Sequence, residues 1–366
     1  MSLALAHEYF SARGGAERVV DVLHQMWPEA PVYTFFHDRR TYGPLDGWTI
    51  RTSYLQQLPL GGGMHRLLLP LYPNAAAHLR VPAGTDTVLT STSAFIKCIG
   101  LPAETVHVAY CHSPTRYLWD WSEQYVAEEV PVPLRGVVRE LLDRLRVADL
   151  AGAARVDRWI ANSSVVQQRI ARYYGRESEV VHPPIDVDSF TPAAERGDFW
   201  VCMPSRLVAY KRADVAVRAF NEVGLRLIVV GDGRERASLE AIARDNVTFA
   251  GRVDDTTVRQ LLGSARGLIF PAEDDFGIVN AEALASGTPV VALGRGGAPD
   301  IVRDGIDGRL VPDPDPALFA AAVRDVERTG VDHAALRESA RRFDVSRFKD
   351  RVDQIVRDAR TRGRAI

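Results

Sequence analysis

The sequence predicts an α/β protein made of two Rossmann-like domains facing a central cleft. Three observations carry that prediction. Strand-like apolar runs alternate with helical patterns along nearly the whole chain, the signature of parallel sheets covered by helices on both faces. The 366 residues are enough for two domains of ordinary size, each with its own core. Near the middle, Pro183-Pro184-Ile185-Asp186-Val187-Asp188 restricts the backbone and is followed by a polar, turn-rich segment over 191–197.

Taken in order, the strand candidates of the first half are Leu3–Ala6, Val32–Phe36, Val88–Thr92, His107–Cys111, Arg158–Ala161 and Val180–His182. Those of the second half are Phe199–Met203, Leu225–Val230, Val247–Phe249, Gly267–Phe270, Val290–Leu293 and Leu310–Val311. The domains are accordingly expected at 1–188 and 189–345. A C-terminal helix over 346–366 carries Phe348, Val352, Ile355 and Val356 on one face. No short-period repeat is evident.

Composition excludes several classes. Hydrophobic residues make up 46% and charged residues 25%, as in a soluble globular protein, and the formal net charge of -2 gives no basic field for nucleic acid. No apolar run reaches the length of a membrane span, and the N-terminus lacks a signal-peptide pattern, so a cytoplasmic location is expected. Cys98, Cys111 and Cys202 sit in apolar, strand-like contexts and read as reduced core residues. Asp186-x-Asp188 and Asp313-x-Asp315 have the form of a metal clamp but lie in proline-rich turns, and the nine histidines form no ligand cluster. No metal and no cofactor are expected. Only three lysines, Lys97, Lys211 and Lys349, stand among the 45 basic residues, which makes a lysine inside a motif worth noticing.

The most informative stretch runs from Phe270 to Ala283 and on through Gly287-Thr288-Pro289-Val290. It reads as buried strand, acidic loop, short helix and second buried strand. Asp274 on the loop and Glu282 in the helix would flank a crevice at the carboxyl end of a strand, where open α/β sheets bind ligands. A carboxylate accepts two hydrogen bonds from a sugar diol, and the amides of Phe276-Gly277-Ile278 at the helix start suit phosphate or sugar oxygens. Ser205-Arg206-Leu207-Val208-Ala209-Tyr210-Lys211-Arg212 follows another strand. A curled loop there would bring Arg206 and Lys211 onto a diphosphate, one as a planar fork and the other as a compact charge. The alternative is a solvated basic loop. Gly14-Gly15 lies between the first strand and a helix, where it permits close backbone approach to a ligand or makes a plain turn. Gly231-Asp232-Gly233 and Gly294-Arg295-Gly296-Gly297 leave the same two readings open. His112 follows a buried strand and is locked by Ser113-Pro114.

These motifs together resemble the retaining glycosyltransferases of the GT4 family, which have the GT-B fold. Glu282-Ala283-Leu284-Ala285-Ser286-Gly287-Thr288-Pro289-Val290 matches the family's acidic motif, and Asp274 stands where a glutamate is usual. The resemblance implies that Glu282 holds the ribose and that Asp274 orients the donor sugar. It also implies that Arg206 and Lys211 stabilise the leaving diphosphate, that Gly231 and Gly233 lie near the base, and that His112 contacts the donor sugar. It further implies a C-terminal helix that crosses back to the first domain, which would be the acceptor side, with the second domain the donor side. Tyr110-Cys111-His112-Ser113-Pro114-Thr115-Arg116-Tyr117-Leu118-Trp119-Asp120 is similar to a mannosyltransferase subgroup. The expected function is therefore metal-independent transfer of a hexose, with GDP-mannose the favoured donor, to a glycan or lipid-linked saccharide. The alternatives are a catalytically silent nucleotide-sugar-binding subunit and a GT-B-type epimerase. The apolar run Leu58–Pro73, with Arg51 and Arg66, fits either a peripheral membrane contact at the inner face of the plasma membrane or a buried loop and helix. Tyr117, Trp119 and Trp121 fit either acceptor stacking or core.

Overall fold

The computed structural model describes residues 2–58 and 68–363. It divides into two compact units, Met1–His182 together with the chain from Phe348 onward, and Pro183–Arg347. The boundary thus falls six residues before the one expected from the tandem prolines. Ile185 donates its N–H to the Phe343 carbonyl (2.8 Å) and accepts from Val345 (3.1 Å), while Val187 and Phe190 sit in the core of the second unit. These bonds tie the proline turn to the unit that follows it.

The first unit holds a parallel seven-stranded sheet of order β3-β2-β1-β4-β5-β6-β7. Its strands are β1 (Leu3–His7), β2 (Val32–Thr34), β3 (Ile50–Thr52), β4 (Thr87–Thr92), β5 (Val106–Cys111), β6 (Arg158–Ala161) and β7 (Ser178–Val180). β1, β4 and β5 are buried at every position, as expected of strands covered on both faces. β3 escaped the sequence reading because Ile50-Arg51-Thr52 is a partly exposed edge of three residues with no apolar run. The last strand also lies two residues earlier than expected, in the polar Ser178-Glu179-Val180.

The helix Val345–Arg362 buries Phe348, Val352, Ile355, Val356 and Ala359. Phe348 meets Tyr110 edge-on at 5.7 Å between ring centroids, Lys349 Nζ donates to Gln25 (3.2 Å), and Arg351 pairs with Glu179. The apolar stripe read from the sequence is therefore the face that closes the first unit's core. Most of the Leu58–Pro73 run lies outside the described residues.

The second unit holds a parallel six-stranded sheet of order β10-β9-β8-β11-β12-β13. Its strands are β8 (Phe199–Arg206), β9 (Arg226–Asp232), β10 (Val247–Gly251), β11 (Leu268–Phe270), β12 (Val290–Leu293) and β13 (Gly308–Val311). In both sheets the strand order turns back beside the first strand, between β1 and β4 and between β8 and β11. Those are the switch points at which ligands bind in sheets of this kind.

Candidate functional site

In the second unit the basic loop leaves β8 and the acidic loop leaves β11, so they flank that unit's switch point. The basic loop begins and ends in left-handed backbone, with φ of 62° at Ser205 and 50° at Arg212, the two non-glycine residues of positive φ among those described. Each such residue costs roughly 1–2 kcal/mol, so the surroundings must hold the curl in place. Two glycines do so. A Cβ on Gly231 would stand 2.7 Å from the Ser205 carbonyl oxygen, and one on Gly233 would stand 2.3 Å from that of Leu207. Gly231 and Gly233 are therefore required by the close pass of the basic loop.

The curl carries Lys211 to the acidic loop. Its ammonium meets both carboxylate oxygens of Asp274, at 2.6 and 2.5 Å, and lies 5.6 and 5.8 Å from the ring centroids of Tyr210 and Phe270. Both side chains are largely buried, at 13% and 20% exposure, which spares the pair from full solvent screening. Arg206 donates to the Tyr210 hydroxyl (2.8 Å) and stays exposed. An ammonium has three donor directions, so Lys211 can keep Asp274 as partner while meeting an anionic oxygen.

The acidic loop is held from the other side by the glycines after β12. Gly297 donates its N–H to the Asp274 carbonyl (2.9 Å). A Cβ on Gly296 would come within 2.2 Å of that carbonyl oxygen, and one on Gly297 within 2.4 Å of the Phe276 Cα. Gly277 is left-handed (φ 80°) and opens the helix Ile278–Ala285. Residues 280–285 of that helix are all buried, so it acts as an internal pillar. Glu282 lies in its second turn, only 4% exposed, and the Phe276 side chain packs edge-on against Phe343 at 5.7 Å. The Asn280 amide beside Gly277 is wholly buried, and neither of its polar atoms has a hydrogen-bond partner.

In the first unit the ends of β1, β4 and β5 bring His7, Ser91 and His112 together. The Ser91 hydroxyl lies 3.1 Å from His7 Nδ1 and 2.7 Å from His112 Nε2. The His112 N–H donates to the Thr92 carbonyl (2.9 Å), and the Asn162 amide donates to the His112 carbonyl (3.0 Å). Burial, and then the neighbouring His7, push the His112 imidazole down to about 3. Gly14 caps the helix Gly15–Met26 in an extended conformation open to any residue, and neither it nor Gly15 has positive φ. What Gly14 leaves open is space for Glu17, whose Oε2 would stand 2.9 Å from a Cβ there.

Sequence reasoning missed His7, Ser91 and Asn162, as well as the buried ion pair of Lys97 and Asp149 (2.6 Å). Asp149 also accepts from Thr115 (2.7 Å), Trp119 Nε1 (3.0 Å) and Tyr174 (2.9 Å). Trp119 stacks on Tyr173 at 4.9 Å, so the aromatic segment after His112 is fastened to the core through this network. The scarcity of lysine was the available signal. The two Asp-x-Asp pairs are engaged locally: Asp188 pairs with Arg341 (2.9 Å), Asp313 with Arg295, and Asp315 caps the helix Pro316–Thr329. Among the described residues there is no cluster of three or more metal-ligating side chains, and no helix is long and apolar enough to cross a membrane.

The fold, two Rossmann-like parallel-sheet units, matches that of GT-B glycosyltransferase structures. Sucrose-phosphate synthase from Thermosynechococcus elongatus superposes with a TM-score of 0.75 at 18% identity, over 98% of this chain and 99% of that one. Anabaena HepE, solved in complex with UDP-glucose, gives a TM-score of 0.71 at 19% identity, over 98% of this chain and all of that one. Within the chain, residues 198–328 match the model of the family "Glycosyl transferases group 1", the segment that carries the basic and acidic loops. D-inositol 3-phosphate glycosyltransferases from Mycobacterium bovis and Mycobacterium tuberculosis are 33% identical over 192 residues, covering 46% of this chain. The chain spans 40% of the length of those curated relatives.

Proposed function

We propose that the protein is a retaining glycosyltransferase that moves a hexose from a nucleoside diphosphate to a hydroxyl of a glycan or lipid-linked saccharide, without a metal ion. The observation that carries this reading is the Lys211–Asp274 pair, held between two glycine-supported loops at the switch point of the second sheet. The match of residues 198–328 to the group 1 glycosyltransferase model supports it.

In this reading Lys211 and Arg206 take the charge that develops on the departing diphosphate, and Asp274 holds Lys211 while orienting hydroxyls of the donor sugar. Positive groups fixed before the reaction need no reorganisation as the leaving-group charge grows. Glu282 holds the ribose diol, and the amides of Phe276, Gly277 and Ile278 bind phosphate or sugar oxygens. His112 contacts the donor sugar. The acceptor attacks the oxocarbenium-like sugar from the face the diphosphate leaves. GDP-mannose is the favoured donor, on the Tyr110–Asp120 pattern; the UDP-glucose complex of Anabaena HepE makes a UDP-hexose the competing one.

Kinetics of Lys211→Ala test the reading. Turnover is expected to fall at least about 100-fold, roughly the loss of one electrostatic transition-state contact, a loss much larger than the accompanying loss of stability from the unpaired Asp274. Equal loss of activity and stability would show that Lys211 serves only to hold the loops. Glu282→Gln should weaken binding of the nucleotide sugar, and unaltered affinity would remove the ribose assignment.

A further inference from the structure

The geometry points to His7 and Ser91 as positioning residues for His112, wired so that His112 offers Nδ1 as a hydrogen-bond acceptor to a ligand hydroxyl. The inference deepens the proposed function, resting on its reading that a sugar lies against His112.

The three residues meet because of strand register. His7 at the end of β1 pairs with Ser91 on β4, and Ser91 pairs with Tyr110 on β5, two residues before His112. His7 and Ser91 are 2% and 1% exposed, so water does not compete for their bonds. A serine hydroxyl has a single proton, and between two imidazole nitrogens it donates to one and accepts from the other. With both rings neutral, that leaves two wirings. In one, both histidines carry the proton on Nδ1, and His112 faces a ligand with Nδ1–H. In the other, both carry it on Nε2, and His112 faces a ligand with a lone pair.

Glu17 selects between them. Its Oε1 lies 3.6 Å from His7 Nε2, too far for a hydrogen bond but close enough to act electrostatically. That nitrogen is buried and has no hydrogen-bond partner. A lone pair aimed at a carboxylate is repelled, and an N–H aimed at it is attracted. Asp21, on the same helix, also interacts with Glu17 and His7, and Arg13 and Arg18 offset its charge. His7 therefore carries its proton on Nε2 and accepts the Ser91 O–H at Nδ1. Ser91 Oγ in turn accepts the His112 Nε2–H. A neutral His112 with an open Nδ1 favours the O–H of a sugar over an anionic phosphate oxygen, which has no proton to give. His112 is thus assigned a hydroxyl of the hexose.

The test is a nitrogen-15 NMR spectrum of the imidazoles in the full chain, recorded without donor. Donor binding and the wiring are then judged separately. Protons on Nε2 of both His7 and His112 are expected. A proton on Nδ1 of either ring overturns the inference. Ser91 as the connecting atom is tested by a double-mutant cycle. Glu17→Gln should shift the His112 nitrogen signals in the native background and leave them unmoved in Ser91→Ala. A shift that survives in Ser91→Ala would mean that Glu17 acts through space and that Ser91 positions nothing. Donor affinity should fall roughly five- to tenfold in Ser91→Ala, about one hydrogen bond, and recover in Ser91→Thr. Failure of Ser91→Thr to recover it, where Ser91→Ala and Ser91→Thr melt alike, would also overturn the role of the hydroxyl.

Discussion

Single atoms decide much of the proposed donor site. The hydrogen in place of a Cβ at Gly233 lets the Leu207 carbonyl pass, and that passage curls Lys211 toward Asp274. Gly233→Ala forces the backbone of the basic loop to move, at a cost of about 1–3 kcal/mol by analogy with overpacked cores. It should lower the urea midpoint and weaken donor binding together, as checked by denaturation and calorimetry. Wild-type stability in that variant would mean that the loop is not held by this contact. At His112 the sign of the pH effect follows from a folded value near 3, below that of an exposed imidazole. The unfolded chain takes up the proton first, so His112's contribution is complete above the unfolded value, in the middle sixes. It is lost as the pH falls toward about 3. His112→Gln should flatten the acid limb of a stability-against-pH curve; a parallel, unflattened limb would place the loss elsewhere.

At the scale of elements, the buried Lys97–Asp149 pair joins the turn after β4 to the helix Arg135–Ala154 and holds Thr115 and Trp119 after His112. Burial by itself lowers the Lys97 ammonium's pKa, but the Asp149 charge outweighs it and raises the value, so the ammonium stays charged. Lys97→Met leaves Asp149 buried without its cation and should cost about 3–5 kcal/mol. The loss would be read in urea and accompanied by loosening of the Trp119 environment in fluorescence. Restoration of stability by Lys97→Met/Asp149→Leu would show that the pair specifies position more than it stabilises. The contrast between Lys97 and β1 shows what a sequence makes legible. Leu3–Ala6 announces itself because four successive buried positions leave a run of apolar letters, and the strand extends one residue further, to His7. The ion pair joins residues 52 positions apart, and neither partner has a local pattern. His7–Ser91 was hidden for the same reason, since strand register, not spacing along the chain, brings the two side chains together. Gly231 and Gly233 were recognised as loop glycines, but that their open side faces the backbone of the basic loop needed coordinates.

For the molecule as a whole, each sheet presents its candidate residues at its own switch point. Lys211, Asp274 and Glu282 belong to the second unit, and His112 with His7 and Ser91 to the first. The fold is that of GT-B structures at 18–19% identity, so it is the side chains at these two switch points that must distinguish this chain from others of the same architecture. In the proposed function the second unit binds a nucleoside-diphosphate hexose through fixed positive groups. Unfolding of the chain by heat, followed with GDP, UDP, ADP, dTDP and their common hexose conjugates in the presence of a chelator, tests it most directly. A ligand at a hundred times its dissociation constant stabilises by about 2.7 kcal/mol, well within reach of such a measurement. Selective stabilisation by GDP and GDP-mannose is the predicted result, and selective stabilisation by a UDP-hexose would keep the site and replace the donor. No rise in the midpoint with any of these ligands would contradict binding of a nucleotide sugar at this site.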